Sequence, residues 1–212
     1  MAKEKVLETI FQTKVVAVIR MADSGKLLKV VEAVQAGGVK AIEITMTVPD
    51  AIEVIRAMAR TKPAGVVIGA GSVLDPETAR AAILAGAEFV VSPVTNFDTI
   101  RLCIRYGIPV MPGALTPTEI VAAWQAGADI VKIFPATSVG PKYFKDIHGP
   151  LPQIRLMPTG GVSLENSADF IKNGACCVGI GTALLDTKAI AAGDWNALTE
   201  NARKLIASVA AQ

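Results

Sequence analysis

Residues 117–135, PTEIVAAWQAGADIVKIFP, contain the structural unit that decides the fold of this chain. Residues 117–126 have the apolar spacing of a helix, Gly127 follows, and residues 129–135 form a short apolar run rich in β-branched side chains. A glycine that ends a helix and leads straight into an apolar strand is typical of a connection between parallel strands. The stretch therefore predicts an α/β chain with a parallel sheet.

The same unit recurs along the whole sequence. Strands are predicted at 15–20, 40–45, 66–72, 88–93, 108–113, 129–135, 154–160 and 176–181, and helices at 23–36, 49–60, 76–85, 97–106, 117–126 and 164–173. Eight units in 212 residues leave roughly 26 residues each, which favours a lean (β/α)8 TIM barrel. An open, doubly wound sheet ranks second, because its dinucleotide turn needs glycines that residues 20–23 lack.

Two predicted helices lie outside the repeat. Residues 2–13 are expected to cap the open bottom of the barrel, and residues 194–211 to form a long terminal helix. Because no tract rich in serine, proline and glycine divides the chain, residues 1–212 are predicted to form a single domain.

Composition excludes several classes of protein. A hydrophobic fraction of 51% is too high for a disordered chain, and a net charge of +2 without charge runs provides no basic strip for nucleic acid. No segment has the length and apolarity of a membrane span or the pattern of a signal peptide. The three cysteines, Cys103, Cys176 and Cys177, form no CxxC pair, which favours a reducing, cytoplasmic location.

Alternation along two strands turns one charged side chain of each toward the interior. In residues 130–134, Lys132 lies on the opposite face from Val131 and Ile133, and Glu43 is likewise opposite to its isoleucine neighbours. Burying an unpaired charge costs several kcal/mol. One interpretation is a Lys132–Glu43 ion pair that only fills the core. The other is a lysine of lowered pKa that attacks a carbonyl carbon while the carboxylate moves protons.

The same counting places polar side chains at the carboxyl ends of further strands: Arg20, Thr45, Ser72 and Thr159. Ser72 is expected to point inward because it shares a strand face with Ile68 and Ala70. This end of a barrel is where the βα loops converge around an active site. The counting therefore predicts a polar cavity there.

Two glycine-rich turns predict an anion site at the same end. Gly160 and Gly161 follow the seventh strand, and Gly181 and Thr182 follow the eighth. Backbone N–H groups and helix starts after these two strands commonly hold phosphate in barrels. A phosphate ester, or at least an anionic substrate, is predicted.

Other candidate residues carry weaker signals. His148 is the only histidine and is expected to be a solvated loop residue, since residues 146–150 look like a loop. Cys176 and Cys177 are expected to pack in the core. No cluster has metal-ligand spacing, and neither a metal site nor a cofactor is predicted.

Eight short motifs, in order along residues 15–182, carry a family resemblance: Ala17-Val18-Ile19-Arg20, Ile42-Glu43-Ile44-Thr45, Gly69-Ala70-Gly71-Ser72, Ser92-Pro93, Met111-Pro112-Gly113, Val131-Lys132-Ile133-Phe134-Pro135-Ala136, Pro158-Thr159-Gly160-Gly161 and Gly179-Ile180-Gly181-Thr182. Together they resemble the 2-keto-3-deoxy-6-phosphogluconate (KDPG) aldolase family. The resemblance implies a metal-independent class I aldolase on a (β/α)8 barrel, usually a homotrimer. It also implies cleavage of 2-dehydro-3-deoxy-6-phosphogluconate to pyruvate and glyceraldehyde 3-phosphate, and often of 4-hydroxy-2-oxoglutarate to pyruvate and glyoxylate.

The resemblance also assigns residue roles. Lys132 matches the Schiff-base lysine and Glu43 the acid/base carboxylate. The implied substrate contacts are Arg20, Thr45, Ser72, Pro93, Phe134 and Thr159, and the implied phosphate contacts are Gly160, Gly161, Gly181 and Thr182.

The chain departs from the family pattern just after Glu43. Many members have Glu-Val-Thr-x-Arg, whereas Met46 and Thr47 occupy the last two positions here. Arg20 would then have to bind the substrate carboxylate, which leaves 2-dehydro-3-deoxy-6-phosphogalactonate open as the substrate. A phosphosugar epimerase or isomerase on the same barrel, and a catalytically silent sugar-phosphate binding protein, are the other functions compatible with these residues.

Overall fold

A computed structural model describes residues 2–21 and 23–211 of the chain. The strands are β1 (Val15–Ile19), β2 (Ala41–Thr45), β3 (Val67–Gly71), β4 (Phe89–Val91), β5 (Val110–Met111), β6 (Gly113–Ala114), β7 (Val131–Ile133), β8 (Leu156–Pro158) and β9 (Val178–Ile180). The α-helices are α1 (Ala2–Thr13), α2 (Leu27–Ala36), α3 (Ala51–Thr61), α4 (Pro76–Ala85), α5 (Phe97–Arg105), α6 (Pro117–Gln125), α7 (Gly140–His148), α8 (Ser167–Lys172), α9 (Thr187–Ala192) and α10 (Trp195–Ala210). Short 3-10 turns cover Ser24–Lys26 and Ala136–Ser138.

Every strand pairing is parallel, which confirms the predicted α/β class. The larger sheet has the order β5-β4-β3-β2-β1-β9 and curls into a half-barrel, and the smaller has the order β6-β7-β8. The predicted eightfold closure is therefore not present as one continuous ladder. The ladder is interrupted at Pro112, which has no N–H to donate, and between β8 and β9.

Hydrogen bonds nevertheless cross both interruptions. The Asp129 N–H, just before β7, donates to the Val110 carbonyl of β5 at 3.1 Å. On the other side, the Cys176 N–H donates to the Leu156 carbonyl at 2.9 Å. Thr159 also pairs with Gly179 in an isolated parallel bridge. The two sheets thus approach each other at both of their edges.

Two apolar layers hold the strands. The inner layer lies on the concave side of the sheet and consists of Val6, Ile10, Val16, Ala41, Val67, Phe89, Val91, Met111, Ile130, Met157 and Cys177. The outer layer packs strand residues such as Ile42 and Val131 against the helices. Because Val6 and Ile10 belong to α1, the prediction that this helix caps one end of the interior is confirmed.

Two helices were not predicted, and one of them changes the interpretation of His148. This residue is the last of α7, not part of a solvated loop, and it is partly buried. A ring nitrogen, Nε2, lies 2.8 Å from the Ile154 carbonyl oxygen. The apolar spacing of α7 is hidden by Gly140 and Pro141 at its start, where proline is readily accommodated. The second missed helix, α9, has only six residues.

None of the helices in the described ranges combines the length and apolarity needed to cross a membrane.

Candidate active site

Lys132 and Glu43 both lie inside the curled sheet, as the alternation predicted. Lys132 is on β7 and is 4% exposed; Glu43 is on β2 and is 1% exposed. Their strand neighbours Ile42 and Val131 belong to the outer layer, so alternation leaves the two charged groups facing inward. An amine and a carboxyl group are thereby held on rigid strands in one apolar interior.

A glycine on the neighbouring strand makes room for the Glu43 side chain. Glu43 pairs in register with Gly69, and Thr45 pairs with Gly71. A Cβ atom at Gly71 would overlap the carboxylate of Glu43. Gly71 is therefore required by the carboxylate and is a sequence signal for the site, whereas Gly69 makes room for the Phe89 ring.

Burial shifts the pKa values of the two groups toward their uncharged forms. Desolvation raises the pKa of Glu43, although the charges of Lys132 and Arg20 partly oppose this. Desolvation also lowers the pKa of Lys132; Glu43 opposes that shift and the positive charge of Arg20 adds to it. A neutral amine is the nucleophilic form of lysine, and a protonated carboxyl group is an acid catalyst.

The pair is not a closed ion pair. In the part of the chain that the structure describes, no salt bridge joins Lys132 to Glu43, and the Glu43 Oε2 atom is buried without a hydrogen-bond partner. The Lys132 Nζ lies 4.9 Å from the centroid of the Phe134 ring. The interpretation of these residues as a core-filling ion pair is therefore wrong.

A second buried polar atom without a hydrogen-bond partner belongs to Thr159, which directly follows β8. The Thr159 Oγ1 atom is buried and, among the described residues, has no hydrogen-bond partner. Thr159 stands two residues beyond Met157, which pairs in register with Lys132. A Cβ atom at Gly179 would overlap this hydroxyl, so a glycine is required on the adjacent strand. Buried polar atoms are normally paired, and two without partners beside a cavity suit a polar ligand.

A cavity of about 520 Å³ opens next to these groups. Phe134 and Thr159 form part of its wall, as does Val18, which pairs in register with Glu43. Lys132 and Glu43 themselves are not in the wall. The Lys132 amine lies over the Phe134 ring and Glu43 pairs with Val18, so two residues of the wall neighbour the amine and the carboxyl group.

Glycine turns form another part of the cavity wall. Gly160 and Gly161 have φ angles of 84° and 75°, a left-handed conformation that glycine adopts without strain. Both line the cavity together with Gly181 and Thr182, so all four predicted phosphate contacts meet in one place. The side chain of Thr137 packs against the Gly161 turn.

Arg20 and Thr45 occupy different parts of the site. Arg20 is exposed and lines the cavity. Thr45 is fully buried, its hydroxyl donates to the Ile19 carbonyl at 3.2 Å, and it lies 2.7 Å from the hydroxyl of Thr47. Thr45 is thus tied to the end of β1, next to Arg20.

The prediction that Ser72 points inward rests on a wrong premise, because Ile68 and Ala70, whose strand face it was expected to share, do not face the interior. Ile68 and Ala70 belong to the outer layer, while Val67 belongs to the inner one. Ser72 itself has a left-handed φ of 57°, which ends the strand alternation. Ser72 lines neither the main cavity nor the second one, described next.

A second cavity, of about 480 Å³, lies on the other side of the Phe134 ring. Pro93 lines this second cavity and not the first, whereas Phe134 lines both. Pro93 and Arg20 are therefore separated by the aromatic ring over which the lysine amine is placed.

Several cavity residues were missed by the sequence analysis, chief among them Lys26 and Asp23, which follow β1. Their only sequence signal is their position after the carboxyl end of a strand. The described residues contain no cluster of three or more histidine, cysteine or acidic side chains placed to hold a metal ion.

Comparisons with known proteins find related aldolases. The family model for KDPG and KHG aldolase matches residues 6–201. The 2-dehydro-3-deoxy-phosphogluconate aldolase of Pseudomonas aeruginosa is 39% identical over 186 residues, which cover 87% of this chain and 84% of the relative. Among solved structures, KDPG aldolase from Legionella pneumophila, with pyruvate captured as a covalent carbinolamine, has a TM-score of 0.87 at 28% identity and covers 97% and 98% of the two chains. A native KDPGal structure has a TM-score of 0.81 at 32% identity and covers 91% and 96%.

Proposed function

This chain belongs to the KDPG and KHG aldolase family, and we propose that it cleaves 2-dehydro-3-deoxy-6-phosphogluconate to pyruvate and glyceraldehyde 3-phosphate on Lys132. It is an aldolase, and the family resemblance of its motifs is confirmed. The observation that carries the residue assignment is the Lys132–Glu43 pair. The two side chains are buried together, are not ion-paired, and have pKa values shifted in opposite directions.

The first chemical step joins the enzyme to the substrate. The neutral Nζ of Lys132 attacks the C2 carbonyl carbon and forms a carbinolamine. Protonated Glu43 gives a proton to the leaving hydroxyl, and water departs to leave an iminium ion. Because burial disfavours the charged ammonium, the attacking form is populated without a separate base at the amine.

The second step breaks the carbon–carbon bond. The Glu43 carboxylate takes the proton of the C4 hydroxyl, the C3–C4 bond breaks, and its electron pair moves into the enamine on Lys132. The aldehyde leaves, and Glu43 returns its proton to C3. Water then hydrolyses the imine, which releases pyruvate and restores the amine.

The remaining residues are assigned by their positions around the cavity. Arg20 binds the substrate carboxylate, since its charge acts on both Lys132 and Glu43. Thr159 donates its otherwise unpaired hydroxyl to the bound keto acid. Phe134 completes the wall of the substrate site, and the phosphate lies at Gly160, Gly161, Gly181 and Thr182. Thr45, Ser72 and Pro93 do not line this cavity, and no substrate contact is assigned to them.

Trapping with pyruvate tests the proposal directly. Incubation with pyruvate and borohydride should add one reduced pyruvate unit to Lys132, identified by peptide mass spectrometry. The Lys132→Met variant should take up none, and the Lys145→Met variant, which removes an exposed lysine of α7, should be labelled like the wild type. An unlabelled wild type that still turns over substrate would favour the epimerase or isomerase alternative.

A second sugar acid has a specific observation in its favour. Thr47 stands where many family members carry an arginine, and one structural neighbour is a KDPGal protein. Measuring pyruvate release from the gluconate and galactonate isomers, and from 4-hydroxy-2-oxoglutarate, separates these substrates by their kcat/KM.

The finer architecture is also part of the proposal. Residues 1–212 form one domain, and the two sheets close into a (β/α)8 barrel. Support comes from the hydrogen bonds at Val110 and Leu156, and from the Thr159–Gly179 bridge, which lie at the two places where the sheets meet. Slow hydrogen exchange of the Asp129 and Cys176 amides would support the closure, and rapid exchange of both would contradict it.

Self-association as a homotrimer follows from the family resemblance, and exposed apolar side chains are compatible with it. Among the described residues, the exposed large apolar side chains all lie within residues 74–106: Leu74, Leu84, Val94, Phe97, Ile104 and Tyr106. Where such side chains form a continuous patch, they mark a protein interface. Light scattering should give three chains for the wild type and one for Phe97→Glu.

The free thiols of Cys103, Cys176 and Cys177 suit a location in the reducing cytoplasm.

A further inference from the structure

We propose that Lys26 is the cation that binds the phosphate end of the substrate and so sets the preference for phosphorylated over unphosphorylated keto acids. This inference rests on the proposed aldolase function. No motif of the chain marks Lys26, which lies in the connection between β1 and α2. It lines the same cavity as the glycine turns at Gly160 and Gly181.

The side chain of Lys26 connects two segments of the cavity wall, the loop after β1 and helix α9. Its Nζ donates to the carbonyl oxygens of Ile190 and Ala191, at 3.2 Å and 3.1 Å, in the last turn of α9. These acceptors lie 164 and 165 residues away along the chain. The contact therefore holds the loop after β1 against the segment after β9, and both segments line the cavity together with the glycine turns.

The positive charge of Lys26 is not neutralised by these contacts. Lys3, Lys29 and Lys62 each pair with a carboxylate, whereas Lys26 contacts only backbone carbonyls within the described residues. The one acidic residue in the cavity wall is Asp23, whose Oδ1 accepts the Gly25 N–H at 3.0 Å. Lys26 thus contributes a positive charge to the cavity wall. Its backbone belongs to the connection after β1, and its Nζ is held by the carbonyls of α9.

The second cation of the cavity is committed to the other end of the substrate. Arg20 acts electrostatically on both Lys132 and Glu43, so it belongs to the reacting end, where the keto acid has its carboxylate. A phosphorylated keto acid has two anionic ends. With Arg20 at one of them, Lys26 is the cation in the cavity wall that is left for the other.

A simpler role for Lys26 is helix capping, because its contacts satisfy carbonyls at the end of α9. The two roles differ in what they predict. Loss of a cap lowers stability and impairs every substrate alike, whereas loss of the phosphate cation changes the ratio between substrates. The specificity ratio is therefore the decisive measurement.

The test compares Lys26→Gln with the wild type on two substrates that differ only in the phosphate: 2-keto-3-deoxy-6-phosphogluconate and 2-keto-3-deoxygluconate. The ratio of their kcat/KM values should fall about tenfold in the variant, mainly through KM for the phosphorylated acid, as expected for one lost charge-assisted contact. Lys26→Arg should recover most of the ratio. Lys29→Gln, which removes an exposed lysine paired with Glu32, should keep the wild-type ratio.

An equal decrease for both substrates, together with a lower Tm, would overturn the proposal and leave only the cap. Binding of glycerol 3-phosphate, measured by calorimetry, gives a readout that does not depend on catalysis. It should weaken about tenfold in Lys26→Gln. If the wild type cleaves neither substrate, the proposed function fails, and the calorimetry still decides whether Lys26 binds phosphate; unchanged affinity would refute it.

Discussion

Two parts of the site are built in different ways: the inner end, which is the buried Lys132–Glu43 pair, and the outer end, which is the glycine turns of the cavity wall. At the inner end, Lys132 and Glu43 are buried on strands whose neighbours on both sides are apolar. At the outer end, backbone turns at Gly160 and Gly161 and an exposed loop form the wall. The pKa values of reactive groups are shifted by desolvation, which strands inside a core provide. An anion is instead bound by backbone N–H groups and by positively charged side chains near the solvent. The comparison predicts that inner-end changes alter kcat and outer-end changes alter KM.

The largest effect is expected at Lys132. Replacing it with Met removes the nucleophile but leaves an apolar side chain of similar length in an apolar interior, so the fold should persist. The value of kcat should fall by about 10⁴-fold or more, because no other group forms the Schiff base. Far-ultraviolet circular dichroism and pyruvate release check both parts, with Lys145→Met as the matched control. Substantial residual activity would remove Lys132 from the mechanism.

Glu43→Gln is expected to cost about 10²- to 10⁴-fold in kcat, the usual contribution of a positioned acid or base. The amide fills the same space beside Gly71 but cannot carry the proton. Borohydride trapping of pyruvate should persist at a reduced rate, because the amine remains. Glu8→Gln, on the exposed side of α1, serves as the control. A loss seen only in KM would contradict the division between the two ends.

At the outer end, Gly161→Ala should raise KM for the phosphorylated substrate about tenfold and change kcat little. Its φ is 75°, and a Cβ atom there would lie 3.0 Å from Thr137, so the turn must shift. Gly65→Ala is a closely matched control: its φ is 79° and a Cβ would meet no atom within 4 Å. Equal kinetic effects of both substitutions would point to backbone strain alone.

The smallest effect concerns stability against pH. Because burial raises the pKa of Glu43 above its usual 4.5, the folded state holds this proton to higher pH than the unfolded state does. The free energy of unfolding therefore decreases as the pH rises above 4.5, because ionised Glu43 is disfavoured in the folded state. Below pH 4.5 the group is protonated in both states, and this destabilisation disappears. Glu43→Gln should be more stable than the wild type by on the order of 1 kcal/mol at pH 7, and about equal to it at pH 3. Urea unfolding at both pH values measures the difference.

The inner end of the site could be predicted from sequence because a strand has a strict period of two. Glu43 and Lys132 stand between pairs of β-branched residues, and that pattern alone assigns their faces. The same rule failed at Ser72, where Gly69 and Gly71 supply no side chains to count and a left-handed residue ends the alternation. The rule is reliable only where both faces of the strand carry side chains.

The outer end could be predicted only in part. The glycine pair at 160–161 is visible in sequence because a left-handed turn requires it. Lys26 is not, since its partners lie more than 160 residues away and are backbone atoms that no side-chain pattern encodes. The predicted fifth strand, 108–113, is broken at Pro112 because proline has no N–H to donate to a strand ladder.

Helix α1, through Val6 and Ile10, occupies the end of the interior opposite the cavity. The order of product release follows from the covalent bond to Lys132. The three-carbon aldehyde exits first, while pyruvate remains tethered to the amine. In the synthetic direction the same bond requires pyruvate to load before the aldehyde, and an excess of aldehyde should obstruct the empty enzyme.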